Sequence, residues 1–230
     1  MWRRFLPLNY RRRQLLHRAS PGPLRDYLAT AFPARSADYR DVEFVALDLE
    51  TTGLDSGRDE ILSFGLVSLK AGRIELATAE HYLVAPLGPI PETSATLHHI
   101  TDDAAAAGGA LSQLLPKVLS RLGGRVLLGH HVGLEQAFLD AACRRLYGAG
   151  FLAPLVDTED LIRRWLERRN EAFGGHHLRL HALRERYGLP RYKAHNALTD
   201  ALATAELFCA FVARANLVGG APLKRFLSSQ

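Results

Sequence analysis

The sequence has few of the features that mark secreted or membrane-spanning proteins. Only two cysteines, Cys143 and Cys209, occur in 230 residues. Two are too few for a disulfide-rich scaffold, which favours a reducing, cytoplasmic location. No run approaches the roughly 18 apolar residues of a membrane-spanning helix. With 47% hydrophobic and 23% charged residues, the composition excludes a wholly disordered or fibrous chain. The length suits one sizeable core rather than two full domains.

Lysine is absent from the first 40 residues and acidic residues are scarce there. Nine arginines against Asp26 and Asp38 give this arm a charge of +7 and leave −2 for the remaining residues. Such an arm can follow a phosphate backbone, an anionic membrane or an acidic partner, or it can be a solvated extension. It lacks the apolar core of a secretory signal, but it loosely fits a mitochondrial transit peptide.

We expect the arm to serve a protein partner, such as a polymerase, rather than a membrane. Its apolar residues from about Leu24 onward predict a part that docks on the body. The first twenty residues are expected to be mobile or bound to the partner.

Short β-prone runs predict three consecutive antiparallel strands over residues 43–48, 61–70 and 73–84. Helices and strands then alternate, which predicts an α/β fold with one mixed sheet flanked by helices. We divide the chain into a basic arm (1–40), a catalytic-type domain (41–215) and a C-terminal tail (216–230). The further predicted elements are helices 111–122, 134–147, 158–169, 178–187 and 197–213, with strands 125–129 and 155–156.

Two carboxylates lie at the end of the first predicted strand. Asp48 and Glu50 are two residues apart, so their side chains share one face of the strand. Adjacent like charges repel and are tolerated mainly where a cation bridges them. A solvated strand end is the alternative. The residues that follow are Thr51, Thr52, Gly53 and Leu54, whose hydroxyl groups, amides and glycine-permitted turn suit the close approach of a nucleotide.

Two further acidic segments begin predicted helices. Asp200 falls in the first turn of the last helix, with His195 in the loop before it, and Glu135 falls in the first turn of helix 134–147. An acid at a helix start also complements the helix dipole without any catalytic role. A loop histidine can equally be a solvated side chain.

Together, and in this order, the three segments resemble the DEDD exonuclease superfamily. They are most similar to its DEDDh branch, the DnaQ-like 3′–5′ exonucleases that include the epsilon proofreading subunit of bacterial DNA polymerase III. Residues 48–54 match the family pattern D-x-E-T-T-G-L, and residues 195–201 match H-x-A-x-x-D-A. Weaker similarities lie at 97–102 and 156–158. The resemblance covers about residues 43–212 and implies a ribonuclease-H-like fold with a five-stranded sheet.

The second motif departs from the family pattern H-N-x-x-F-D. Glu135 keeps the charge with one extra methylene, Leu134 lacks the aromatic ring, and His131 replaces asparagine. These changes bear on turnover and on the fit of the penultimate nucleotide more than on the type of reaction. They also support an alternative, a non-catalytic module that docks a polymerase or nucleic acid.

The resemblance implies a hydrolase that uses two Mg²⁺ ions, which Mn²⁺ can replace. It implies that Asp48 bridges both ions, that Glu50 and Asp200 complete the shell of the first, and that Glu135 acts on the second through water. Hard divalent cations prefer carboxylate oxygens. His195 would be the general base, because imidazole groups titrate near neutral pH.

The resemblance also implies a pocket for the terminal nucleotide, formed by residues 51–54, by His98 or His99, and by Leu134. The sequence contains no motif that reads bases, so we expect a sequence-tolerant, single-stranded 3′ end as substrate. Nucleoside monophosphates would be the products. The similarity of residues 97–102 to the proofreading subunit favours DNA. A 3′–5′ exoribonuclease like RNase T or oligoribonuclease is the alternative.

Overall fold

Five strands form one mixed sheet in the computed structural model, which describes residues 6–92, 94, 96, 105, 107–193 and 195–228. The order across the sheet is β3-β2-β1-β4-β5. β1 pairs antiparallel with β2, which pairs antiparallel with β3, while β4 runs parallel to both β1 and β5. The strands are β1 (Glu43–Thr51), β2 (Ile61–Lys70), β3 (Arg73–Leu83), β4 (Val126–Gly129) and β5 (Leu155–Asp157).

Helices cover both faces of this sheet. Within the described residues they are α1 (Leu8–Leu16), α2 (Pro23–Ala29), α3 (Leu111–Leu122), α4 (Gly133–Tyr147), α5 (Thr158–Arg168), α6 (Leu180–Arg186) and α7 (Ala197–Arg214). None of them is long and apolar enough to cross a bilayer. The predicted α/β architecture is therefore confirmed. The predicted helix over 178–187 is shorter, because a 3-10 turn occupies Gly175–Leu178 and α6 starts only at Leu180.

β1 is buried on both faces, and its side chains alternate between two hydrophobic cores. Val45 and Leu47 face the arm-side core, which also contains residues of α2, α3 and α4. Phe44 and Ala46 face the α7-side core, which also contains residues of α5 and α7. By the same alternation, Asp48 and Glu50 point to the α7 side. The continuous apolar run of β1 thus fixes the face on which its two acids emerge.

The N-terminal arm packs on the arm-side core. Leu24 and Leu28 of α2 are buried there, and the hydroxyl group of Tyr27 donates to the Leu152 carbonyl at 2.7 Å. Docking from Leu24 onward is confirmed. We expected the first twenty residues to be mobile or bound to a partner; in the structure, the leucines of α1 instead pack against the arm-side core. Arg12 of α1 is buried and donates to the carbonyl of Leu28.

The C-terminal residues pack on the opposite face. Leu223 and Phe226 are fully buried in the α7-side core, where the rings of Phe226 and Phe208 lie 5.6 Å apart. The Ser228 N–H donates to the carbonyl of Leu155 in the edge strand β5 at 3.0 Å. Both flanks therefore contribute to the cores of the sheet. The division at residues 40 and 215 stays a prediction.

Candidate active site

The acidic pair lies near the end of β1, at the centre of the sheet. Asp48 is opposite Gly65 of β2, and Glu50 is opposite Ser63. The register shifts directly after Glu50, where the strand leaves regular pairing. Asp48 is half-buried and Glu50 is buried. Regular pairing thus holds both carboxylates on the α7 side, as the two-residue spacing predicted.

Gly65 allows the start of α7 to lie directly on the sheet. A Cβ atom at this position would lie 2.1 Å from the carbonyl carbon of Ala197 and 2.2 Å from the nitrogen of Leu198. The side chain of Asn196 caps the helix by accepting from Thr199 N–H at 3.1 Å. Because Gly65 is opposite Asp48, the contact brings the first turn of α7 against the acidic pair. Sequence analysis missed this glycine, which stands inside a predicted strand, where an isolated glycine often marks close backbone approach.

Asp200 in the first turn of α7 joins the pair to form a three-acid group. Asp48, Glu50 and Asp200 each offer a carboxylate oxygen, and these atoms all lie within 4.8 Å of one another. Burial raises the pKa of Asp48 well above its ordinary value, and the charges of Glu135, Glu50 and Asp200 raise it further. Burial also raises the pKa of Asp200. The structure therefore brings together acids that are about 150 residues apart in the chain.

Glu135 is buried beside this group but outside the 4.8 Å set. Its Oε2 atom has no hydrogen-bond donor among the described residues. Burial raises the pKa of Glu135 to about 8, and the charges of Asp157 and Glu50 contribute to that rise. Glu135 and Asp200 both raise the pKa of Asp48, and Glu50 raises the pKa of both Asp48 and Glu135, so all four acids share one electrostatic environment.

Asp157 braces the loop that places Glu135. Its carboxylate accepts from the N–H groups of His131 at 3.0 Å and Val132 at 3.1 Å, just before α4, and from Glu159 N–H at 2.9 Å in α5. His131 adopts a positive φ of 65°, which histidine tolerates better than most residues. Sequence analysis noted Asp157 only as part of a weak similarity and assigned it no role.

His195 lies in the loop before α7 and also has a positive φ, of 67°. Its backbone N–H donates to Oδ2 of Asp200 at 2.8 Å. This hydrogen bond lowers the pKa of Asp200 and so partly opposes the effect of burial. The side chain of His195 is exposed and lines the same cleft as Asp48 and Asp200. The predicted base and the predicted metal-ligating acids therefore meet.

One cleft of about 640 Å³ contains these groups together with a segment that sequence analysis did not single out. The first residue of this segment is Arg179 and the last is Tyr192. We call it the 179–192 wall. The cleft-lining side chains of this wall are Arg179, Leu180, His181, Arg184, Glu185, Arg191 and Tyr192. Its charged groups are mostly arginines, in contrast to the acids across the site.

His130 also borders the cleft, but its surroundings indicate a structural role. Its Nδ1 atom lies 2.8 Å from Oγ1 of Thr158, which itself donates to the carbonyl of Gly129. Burial lowers the pKa of His130 to about 4, so its imidazole is neutral near pH 7. A neutral, hydrogen-bonded imidazole anchors the end of β4 to the start of α5.

The loop predicted to hold the terminal nucleotide has a stiff base and an exposed tip. Thr51 Oγ1 donates to the Gly53 carbonyl at 2.6 Å, and Thr52 Oγ1 donates to Oδ1 of Asp59 at 3.3 Å. A Cβ atom on Gly53 would lie 2.4 Å from Oδ2 of Asp59, so a larger residue there would displace the Asp59 carboxylate. The side chain of Leu54 is 81% exposed. The two hydroxyl groups thus stabilise the loop itself, while Leu54 is presented outward.

The other residues predicted to contact substrate are Leu134, His98 and His99. Leu134 is half-buried and packs against the arm-side core, so the side chain has a packing role. His98 and His99 lie outside the described residues. The contact of all three with substrate stays a prediction.

The acids of the site fit divalent cations. Burial raises the pKa values of Asp48 and Glu135, and repulsion between carboxylates held this close raises them further unless a cation bridges them. The unpartnered Oε2 of Glu135 is a further oxygen without a donor among the described residues. Oxygen-rich donor sets of this kind suit Mg²⁺ and Mn²⁺.

Comparison with known proteins agrees with this site. The chain is 30% identical over 181 residues to the PolC-type DNA polymerase III of Thermotoga maritima, which covers 79% of this chain and 13% of that protein. The corresponding polymerase of Staphylococcus haemolyticus is 26% identical over 194 residues and is likewise covered over 13% of its length. The chain thus spans about one eighth of these relatives.

Solved structures share the fold. Escherichia coli exonuclease I in complex with a 5cy-dT13 oligonucleotide matches 77% of this chain and 42% of its own, with a TM-score of 0.65 and 18% identity. The nuclease domain of 3′hExo, a DEDDh family member bound to rAMP, matches 82% of this chain and 96% of its own, with a TM-score of 0.65 and 18% identity. These likenesses confirm the ribonuclease-H-like fold.

The family assignment follows from a match to a family model. Residues 45–208, which include all four acids and His195, match the model named RNase_T and described as "Exonuclease". The matched range begins in β1 and ends in α7, so it contains the sheet except for the first two residues of β1. This chain therefore belongs to the DnaQ-like exonuclease family, a group of nucleic-acid hydrolases.

Proposed function

We propose that this protein is a divalent-metal-dependent 3′–5′ exonuclease that releases nucleoside monophosphates from single-stranded 3′ ends, with DNA preferred over RNA. The observation that carries this proposal is the three-acid group of Asp48, Glu50 and Asp200. Glu135 is buried beside it and His195 lines the same cleft. This arrangement supports hydrolysis of a phosphodiester, a reaction in which charge repulsion is the main obstacle.

Asp48, Glu50 and Asp200, with Glu135 beside them, would hold two Mg²⁺ ions, and Mn²⁺ can substitute. When bound, such ions neutralise phosphate charge, lower the pKa of water and stabilise the leaving oxygen. Asp200 has one oxygen held by the His195 N–H, which orients its carboxylate toward the pair on β1. Asp157 fixes the loop before α4 and thereby sets the position of Glu135.

His195 acts as the general base. Its imidazole accepts the proton of the attacking water as oxygen bonds to phosphorus and the bond to the 3′ oxygen of the preceding nucleotide breaks. A neutral imidazole suits this step near pH 7. Support for the role comes from its place in the cleft with Asp48 and Asp200, and from the backbone hydrogen bond that ties the loop to Asp200.

The terminal nucleotide binds at the loop of residues 51–54. The exposed side chain of Leu54 packs against its base, and Gly53 keeps the loop tip close to Asp59. This contact is apolar and independent of base identity, which is consistent with removal of any terminal nucleotide. Contacts of the same nucleotide with Leu134 and with His98 or His99 are part of this proposal.

DNA is the preferred polymer. The PolC-type relatives are DNA polymerases by name, and the exonuclease I structure contains a dT13 oligonucleotide. The bound rAMP of 3′hExo favours the second candidate, an exoribonuclease. The same relatives support a polymerase as protein partner. The exposed arginines of the arm, such as Arg13, Arg18 and Arg25, would supply the contacts.

A direct assay tests this proposal. Single-stranded 20-mers of DNA and RNA, labelled at the 5′ end, are offered with Mg²⁺, with Mn²⁺ or with EDTA. We expect a ladder of stepwise shortened DNA with either metal, slower shortening of RNA, and none with EDTA. Shortening of RNA alone would overturn the preference for DNA. Unmodified substrate under all conditions would favour the alternative, a non-catalytic docking module.

The matched variants are Asp200→Asn and Asp26→Asn. Asp26 is an exposed acid in the first turn of α2, so it resembles Asp200 in helix position but lies in the arm. We expect a loss of about 100-fold or more for Asp200→Asn, since removal of electrostatic stabilisation at a reacting centre typically costs that much. The control should retain full activity. Equal activity in both variants would contradict the site assignment.

A further inference from the structure

Tyr192 is a half-exposed aromatic ring on the 179–192 wall. It lines the same cleft as Asp48, His195 and Asp200, and its side chain is 38% exposed. An exposed aromatic ring beside a cleft offers a flat surface on which a base can stack. Neither the acids nor the residue 51–54 loop accounts for this ring.

The ring is held in place from two sides. Its hydroxyl group donates to Oε1 of Glu206 in α7 at 2.8 Å. The guanidinium group of Arg184 lies over the ring, 4.4 Å from its centre. One side of the ring is thus covered by a cation and its edge is tied to α7, while part of its surface stays open to solvent.

Arg184 is itself fixed. It is 3% exposed, and it donates to the carbonyl oxygens of Ala203 at 2.8 Å and Pro190 at 2.9 Å. It also pairs with Oε2 of Glu206 at 2.8 Å. A buried arginine that two carbonyl oxygens and a carboxylate hold under an exposed ring keeps that ring in one orientation. Because the ring is already ordered, binding of a stacked base has only a small cost in side-chain conformational entropy.

Positive charge surrounds this ring. Arg179 and Arg191 line the cleft with it, and both are exposed. Arg191 pairs with Glu185 at 2.9 Å, but both side chains are largely exposed, and such surface pairs contribute little stability. Arg191 can therefore release the carboxylate of Glu185 and pair with a phosphate group of the substrate instead. Aromatic rings next to cationic groups in a groove are the usual means of binding single strands without sequence preference.

We propose that Tyr192 is a stacking platform for a base on the 5′ side of the cleaved bond, with Arg179 and Arg191 neutralising the adjacent phosphates. This inference rests on the proposed function, because it assigns a second part of the same substrate. The ligand is a single-stranded polynucleotide that extends at least two nucleotides beyond its terminal nucleotide, on the 5′ side. The platform binds substrate and takes no part in bond cleavage.

The first experiment compares long and minimal substrates. Tyr192→Leu removes the aromatic surface, Tyr192→Phe keeps it and loses the bond to Glu206, and Tyr10→Leu removes a 49% exposed ring of α1 outside the cleft. For the decamer dT10 we expect KM to rise about tenfold in Tyr192→Leu, the effect typical of one stacked base. Tyr192→Phe and Tyr10→Leu should stay within about twofold.

The p-nitrophenyl ester of thymidine 5′-monophosphate is the minimal substrate. It has no nucleotide beyond the one cleaved, so its kcat/KM should be equal in all four proteins. A parallel loss on the ester and on dT10 would mean that Tyr192→Leu disturbs the acids, and the platform would be rejected. A folding defect is detected separately from the Tm of each variant.

The second experiment locates the stacked base. Decamers with a single abasic nucleotide, placed in turn at the second, third and fourth positions from the 3′ end, are compared in wild type and Tyr192→Leu. At one position we expect the abasic change to raise KM about tenfold in wild type and to have no effect in Tyr192→Leu. Additive losses at every position would overturn the proposal.

The outcomes separate this inference from the proposed function. If wild type cleaves neither dT10 nor the ester, the proposed exonuclease activity fails. If wild type cleaves both, and Tyr192→Leu matches it on dT10, the activity stands and the platform alone is wrong. Charge removal in Arg191→Gln gives an independent reading, because it should reduce the salt dependence of KM for dT10.

Discussion

The two sides of the cleft are built in different ways. The acids Asp48, Glu50 and Glu135 project from a buried strand and from the first turn of a helix. The 179–192 wall consists of a short helix and a loop, and the side chains of Arg184 and Tyr192 link it to α7. Regular secondary structure positions the groups that would perform the chemistry. Side-chain contacts hold the groups that would receive the strand.

This difference indicates how each side responds to change. The acidic side allows little movement, because the backbone of α7 lies directly against Gly65 of β2. Leu183 anchors the helix of the 179–192 wall in the α7-side core, but the exposed groups of the wall are held by side-chain hydrogen bonds and an ion pair and have more freedom. Variants on the acidic side should therefore affect turnover or stability strongly, and variants on the wall should affect substrate affinity.

The largest effect is expected at Gly65. In Gly65→Ala the new methyl group would meet the backbone of Ala197 and Leu198, and α7 must move away from β2. Misplacing Asp200 by about 1 Å should reduce kcat by about 100-fold. Gly219→Ala is the control, since its Cβ meets nothing within 4 Å. Full activity of Gly65→Ala on labelled DNA would show that the acidic side has more freedom than its contacts indicate.

The second effect concerns pH and the stability of the metal-free protein. Burial and the nearby charges of Asp157 and Glu50 raise the pKa of Glu135 to about 8, so the folded state retains a proton that the unfolded chain loses near pH 4.5. Folded protein then binds more protons, and the free energy of unfolding falls as the pH rises from about 4.5 to about 8. Glu135→Gln should make this slope shallower by removing the contribution of Glu135, while Asp48 and Asp200 keep theirs.

Urea titrations in EDTA at pH 5, 6, 7 and 8 measure that slope. The control is Glu75→Gln, an exposed glutamate of β3, which should leave the slope unchanged. Added Mn²⁺ should raise Tm by several degrees more at pH 8 than at pH 5, because only ionised carboxylates bind it well. An identical pH dependence in wild type and Glu135→Gln would contradict the shared electrostatic environment of the four acids.

The third effect is at the link between the wall and α7. Arg184→Lys removes the simultaneous hydrogen bonds to the carbonyl oxygens of Ala203 and Pro190, because an ammonium group cannot reproduce the geometry of a guanidinium group. We expect unfolding free energy to fall by about 2 kcal/mol, since a buried hydrogen-bonded charge pair loses part of its bonding. Thermal denaturation measures this loss, with the exposed Arg168→Lys as control. Equal Tm values would mean that the wall does not depend on Arg184.

The smallest effect is expected at the loop tip. Leu54→Ala removes a side chain that is 81% exposed, so Tm should not change. KM for dT10 should rise by about threefold to tenfold, the magnitude expected when one apolar contact with the terminal base is lost. Leu76→Ala, on a residue of β3 that is 64% exposed, provides the comparison. A drop in Tm would show that Leu54 packs on the protein rather than on the substrate.

The fold and the acidic side could be predicted from the sequence because their determinants are periodic and local. β2 occupies the predicted range Ile61–Lys70, and α3 the predicted range Leu111–Leu122. Alternation along β1 was sufficient to place Asp48 and Glu50 on one face. The motif order then identified Glu135, His195 and Asp200 as members of the same site.

The rest depends on contacts between segments far apart in the chain. α1 could not be predicted, because its only fully buried side chain is that of Arg12, which bonds to Leu28, while its leucines are only partly buried. Tyr192 stands in an irregular loop, and its value as a binding surface comes from Arg184 beneath it and Glu206 beside it. Neither relation leaves a periodic pattern in the sequence.

The close approach at Gly65 also has a consequence for the classification of gene products. A homologous chain can carry every acid and the histidine and still be inert, if its second strand has a bulkier residue at the position facing Asp48. Surveys that score only the reactive side chains would count such a chain as an active nuclease. A single unreactive glycine therefore belongs among the criteria for separating working enzymes from degenerate copies.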